Sequence, residues 1–278
     1  MAKKKFSLLG NGIFNISIFD KFYFTKRQRF IISIIILSFG LFFSEQFFGK
    51  SGFLITLFLS LLSSLLFFFS IRDELKGNRS LYVYLFPLFF YTLATGLFYF
   101  LTPPRFLSRF LMTVIYAVGL YSLYLSQNIF IVASLRTIPL LSGARIVSLA
   151  TTLISYYFLI TVILTLHLSV YISSLFIFLF SFMAAFQSIA VTFEKSIIKT
   201  INWVTVLALC LFELSIVLWF WPSTPTLISL FLTGIFYTII GLSHAWFDRR
   251  LFRGVMWEYI WVGALVFFML IFFTPWRG

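Results

Sequence analysis

What most constrains this chain is a recurrence: apolar runs of about 20 residues follow one another with short gaps between them. A hydrocarbon core roughly 30 Å thick takes about that length of helix to cross, and backbone N–H and C=O groups inside it must pair within the span. Nine runs qualify, approximately Phe30 to Phe48, Phe53 to Ile71, Leu81 to Leu101, Phe110 to Ile129, Ile146 to Leu166, Val170 to Val191, Ile201 to Trp221, Leu227 to Trp246 and Trp257 to Phe273. With 61% hydrophobic and 10% charged residues, the composition lies outside that of soluble domains. The expected fold is all-α, a polytopic transmembrane helical bundle of about nine spans over residues 30–278.

Residues 1–29 read separately, as a basic arm, interfacial or flexible. The stretch "MAKKKFSLLGNGIFNISIFDKFYF" starts like a signal peptide, but Gly10, Asn11, Gly12, Asn15 and Asp20 break the apolar run such a peptide needs. Seven Lys and Arg between Lys3 and Arg29 suit an anionic membrane surface.

The formal charge of +13 would suggest nucleic acid in a soluble protein. Here the basic residues sit in the gaps, and cytoplasmic loops retain positive charge. With the N-terminus inside, only Lys50, Arg105, Arg109 and Arg277 of the 21 Lys and Arg fall outside. The expected setting is therefore the plasma (cytoplasmic) membrane, with the C-terminus outside, anionic inner-leaflet lipids as partners and no nucleic acid. Tryptophan favours the headgroup level. Trp203, Trp246, Trp257 and Trp261 fall at inner ends, and Trp219, Trp221 and Trp276 at outer ends. The gaps leave no room for an extramembrane domain. The longest, Phe130 to Arg145, carries Pro139 and Gly143 and reads either as a short surface helix or re-entrant loop, or as a longer fourth span followed by a plain loop.

A shift of 121 residues lays "FYFLTPPRFLSRFLMTVIY" (98–116) over "WFWPSTPTLISLFLTGIFY" (219–237), matching Pro104 to Pro225, Ser108 to Ser229 and Tyr116 to Tyr237. This raises a parallel four-plus-four repeat with an added ninth helix, a plan that places sites between repeats. Evenly spaced helices rich in Phe and Leu also superpose by chance, and both explanations stay open.

Glu213, in "VLALCLFELSIVLWFW", is the residue that apolar packing does not explain. A carboxylate near the middle of a span costs on the order of 2.5–3.5 kcal/mol, so it is expected to face the bundle or a wet cavity, or to be protonated at neutral pH, and to serve as an ion or proton site. A hydrogen bond to a neighbouring helix is the structural alternative. Arg105 and Arg109 follow Pro103–Pro104 at an outer helix start and could grip a phosphate or headgroup, or simply snorkel to it. His167 and His244 suit interfacial hydrogen bonds. One cysteine, Cys210, excludes an internal disulfide, and no His or Cys spacing supports a metal. "GKSG" at 49–52 lacks the rest of a phosphate loop, and no nucleophile elbow or cofactor fingerprint is present. Ser60/Ser64 and Ser181/Ala185 read as packing seams.

Three functions fit these residues. One is a carrier component for a small molecule or lipid, with Glu213 as its coupling acid. Another is a scaffold or accessory subunit whose Glu213 bonds within the bundle or to a partner membrane protein. The last is an enzyme on a lipid-linked phosphate, with Arg105, Arg109 and an acid such as Glu45. None of the three calls for a cofactor or a catalytic metal.

Overall fold

The computed structural model describes residues 25–48, 52–72, 81–133, 140–192 and 197–275. Among them the chain forms nine helices and no strand: α1 (Lys26–Phe48), α2 (Gly52–Ile71), α3 (Leu81–Leu101), α4 (Phe106–Ala133), α5 (Leu141–Thr165), α6 (Val170–Thr192), α7 (Ile197–Trp219), α8 (Pro225–Phe247) and α9 (Arg253–Phe273). All nine are long and apolar enough to cross a membrane. Proline sets several boundaries, since it lacks an N–H and cannot extend a helix past its start. Pro103–Pro104 separates α3 from α4, while Pro225 opens α8, where a missing N–H costs nothing.

Some boundaries differ from expectation. Lys26–Arg29 form the first turn of α1 and so belong to the bundle; residues 1–24 lie outside the described set. The fourth helix runs on to Ala133, as the long-span alternative required, and α5 begins at Leu141, taking in Gly143 and Arg145. Residues 134–139, with Arg136 and Pro139, lie outside the described set.

The helices pack in two rings. In the first, α1 and α3 each pack on α2 and α4; in the second, α5 and α7 each pack on α6 and α8. Moving forward four helices also carries the α4–α5 contact onto α8–α9. An even number of crossings preserves direction, so this order of packing is the one a parallel four-plus-four arrangement with an added helix would have, although the extensive α3–α5 contact is not matched between α7 and α9. The small-residue seams fall at protein contacts, with Ser60 and Ser181 inaccessible, Ala185 nearly so and Ser64 half-buried. The quoted sequence match is less well kept: Phe110 and Leu111 are exposed, whereas Phe231 and Leu232 are buried beside α9 and α5. The rings join through α5, which touches α3 and α4 as well as α6 and α8.

Buried polar side chains bond across helices in both rings. In the first ring Tyr124 donates to the Ser63 carbonyl at 2.8 Å, Thr92 to the Ser63 hydroxyl at 3.0 Å, and Tyr91 to the Ile115 carbonyl at 3.0 Å. In the second, Tyr156 and Ser181 share a 2.7 Å bond, Thr161 donates to Ser229 at 2.7 Å, and Tyr156 stacks on Phe236. Exposed side chains such as Ile36, Phe39, Phe58 and Leu175 are apolar. Lipid tails are as apolar as leucine, so helices associate through close packing and hydrogen bonds, with Phe, Ile and Leu left for the lipid side.

Candidate functional site

α7 owes its orientation to one seam. Val204, Ala208, Leu211, Ser215 and Leu218 recur at three- and four-residue steps and are all buried, which turns that stripe toward α6 and α8. Ala208 and Ser215 are small enough to let the backbones approach. Glu213 stands two residues from both Leu211 and Ser215, about 200° around the helix from each.

The carboxylate therefore points out of the bundle. Glu213 is exposed and shares its stripe with Val206 (56% exposed), Cys210 and Val217 (63%). Asn202, also exposed, begins the same stripe. This corrects the expectation that Glu213 faces the bundle or an internal cavity. The reason lies in packing order, because α7 is an edge helix with neighbours on one side only, and its small residues claim that side. The 121-residue shift lays Glu213 over Thr92, which is fully buried and bonded to Ser63 inside the first ring, so the carboxyl is a departure from that match in direction as well as in residue type.

α7 spans Ile197–Trp219 with Ala208 at its middle, so Glu213 stands five residues, about 7.5 Å, off centre. α7 ends at Trp219, so Glu213 sits six residues, about 9 Å, below the end of the helix. Every Lys and Arg in the described helices lies within four residues of a helix end.

Arg105 and Arg109 form a separate feature. Arg105 precedes α4 and is exposed; Arg109 is half-buried one turn later, its N–H donated to the Arg105 carbonyl at 3.1 Å. α4 packs on α1, α3 and α5 while α7 packs on α6 and α8, so the fold does not unite these arginines with Glu213. The side chain of Glu45 lies outside the described residues.

A polar layer near the other end of the second ring was largely missed in the sequence. Gln187 Nε2 donates to Thr152 at 2.9 Å, His244 Nε2 and Ser188 are 3.3 Å apart, and Trp203 Nε1 donates to Ser243 at 3.2 Å. Arg145 reaches Asp248 at 4.0 Å, joining the start of α5 to the end of α8. His244 is thus an interhelical hydrogen-bonding residue, as its interfacial place suggested. Isolated polar residues in different spans give no signal of adjacency, so only the fold assembles this layer. Among the described residues no group of three or more His, Cys, Asp or Glu side chains could hold a metal.

No curated protein and no solved structure matches the chain. Residues 38–273, nearly the whole bundle, match one family, so the chain belongs to the family described as protein of unknown function (DUF5656).

Proposed function

We propose that this protein is an assembly subunit of the cytoplasmic membrane, N-terminus inside and C-terminus outside, and that the outer stripe of α7 docks a transmembrane helix of another protein. The single observation behind this is the outward direction of Glu213. A carboxyl turned toward lipid tails loses hydrogen-bonding partners, a cost that reaches on the order of 2.5–3.5 kcal/mol for a charge at the middle of a span. A neighbouring helix with a basic or amide side chain at that depth returns those partners. Charge complementarity selects a different protein over a second copy. This chain's described helices hold Lys and Arg only near their ends, so a symmetric dimer would bring carboxyl to carboxyl. The aliphatic Val206 and Val217 on either side of Glu213 supply packing surface.

The test is complex size on a native gel after gentle solubilisation of native membranes. The wild type is expected to run well above its own 32.4 kDa. Glu213→Leu should collapse that species to the free chain, and Glu213→Gln, which keeps hydrogen bonding, should largely retain it. Unchanged migration of Glu213→Leu sinks the assembly role. Co-precipitation of two differently tagged copies would replace the foreign partner with a second copy. If the complex is indifferent to Glu213 but Cys210, on the same stripe, reacts in sealed membranes with a small charged thiol reagent, water reaches the carboxyl. The carrier function then takes precedence.

A further inference from the structure

The turn between α8 and α9, "HAWFDRRLFRG" (244–254), is built in a costly way. Its two closing bonds, Arg250 N–H to the Ala245 carbonyl at 2.9 Å and Arg249 N–H to the Trp246 carbonyl at 3.1 Å, are those of a Schellman ending. That geometry places Arg249 in the left-handed region at φ 56. Glycine is the usual occupant, because a Cβ there crowds the neighbouring carbonyl oxygen. His167, the other described non-glycine residue with positive φ, belongs to a residue type enriched in that region; arginine does not. A strained backbone at a charged residue points to a use for its side chain.

The surroundings specify that use. Trp246, Phe247 and Leu251 join Arg249 in lining an open surface pocket of about 430 Å³, where polar and apolar surface are nearly balanced and the one charged side chain is a cation. The turn's only acid, Asp248, reaches across to Arg145. Arg249, Arg250 and Arg253 are all exposed and without an ion pair among the described residues. Close by, α9 is preceded at its cap position by Phe252, which offers no capping oxygen, and its first turn contains no acid. Nothing stands within 4 Å of a Cβ built on Gly254, so the flank of the first turn of α9 is uncrowded. Trp246 and Trp257, 62% and 53% exposed, mark the headgroup level on either side of the turn.

We propose that this pocket is a binding site for an anionic phospholipid, its phosphate held by Arg249 and its apolar portion lying against Trp246, Phe247 and Leu251. A guanidinium gives a phosphate two parallel hydrogen bonds, and the open start of α9 adds a favourable field. Topogenic charge alone would be served by arginine anywhere on this face. It does not call for arginine at the one turn position that suits glycine.

The full-length protein, delipidated in mild detergent, is titrated with short-chain phosphatidylglycerol or phosphatidylcholine, and bound lipid is counted by native mass spectrometry. Wild type should favour the anionic lipid about tenfold, the worth of a charged hydrogen-bond pair. Arg249→Gly relieves the backbone while removing the guanidinium. It should erase the preference and leave thermal stability equal or higher, whereas Lys199→Gln, an exposed charge on the same face, should preserve the preference. Retention of the preference in Arg249→Gly overturns the site. So does a fall in stability in that variant, which would make Arg249 structural, or an equal loss in Lys199→Gln, which would make surface charge sufficient. Millimolar inorganic phosphate abolishing the preference would reassign the pocket to soluble phosphate.

Discussion

At the scale of single residues, the bundle depends on close approaches that a methyl group would block. A Cβ built on Gly119 in α4 would collide with the hydroxyl of Tyr91 in α3. That hydroxyl is committed, donating to the Ile115 carbonyl, while the Tyr91 ring stacks on Tyr116. Gly119→Ala should therefore destabilise the first ring by about 1–3 kcal/mol, the usual range for overpacking, as read from unfolding in mixed detergent. A neutral outcome would show that Tyr91 can withdraw at no cost. Gly119 is unremarkable in sequence, since small residues are common in membrane helices. Glu213 is the reverse case. Its presence was conspicuous, yet its direction was not, because a carboxyl at one helical position can turn inward or outward depending on which neighbours its helix acquires.

At the scale of elements, α9 stands apart from the others. α9 buries 6% of its spanning window, against 56% for α3 and α5, and packs chiefly along α8. Its contact runs through Gly234 and Gly241, where added Cβ atoms would strike Val266 and Tyr259. One further bond, Trp221 Nε1 to Thr274 at 2.9 Å, ties its far end to the end of α7. A chain ending after Leu251 should thus keep both rings and unfold within a few degrees of the intact protein, with its new terminus on the opposite side of the membrane. Loss of the folded bundle in that truncation would show that α9 completes the second ring, contrary to its placement. The nine spans were legible because each carries its own apolar run. Their ends were less so, and α7 begins four residues before its apolar run does, since Ile197–Thr200 form helix with Lys199 at the membrane margin.

At the scale of the whole molecule, contacts between helix ends agree on a single alternating thread. The starts of α5 and α7 meet the end of α8 through Arg145–Asp248 and Trp203–Ser243, and the ends of α7 and α9 meet through Trp221–Thr274. The charge bias then predicts which face is cytoplasmic. Alkaline phosphatase joined after Gly278 should be active and a fluorescent protein at the same point dark; the opposite pair of results would invert the molecule. The repeat was visible in the sequence as a short match around Pro104 and Pro225, but those residues occupy unlike environments. What recurs is the order in which helices pack, with Ser60 and Ser181 at matching seams.

By itself the sequence determined that this protein crosses a membrane, how many spans it has and where the polar exceptions fall. Each of those follows from local facts: a run long enough to cross, a charge that stays in water, a backbone that must bond to itself. The tertiary structure alone decided that Glu213 looks outward, that Arg145 meets Asp248, and that Arg249 occupies a left-handed turn beside an aromatic pocket. In a chain that is apolar all around each helix, the pattern of side chains does not say which face meets protein and which meets lipid. That choice is made by the fit of small residues and buried hydroxyls between neighbours, which exists only once the helices are together.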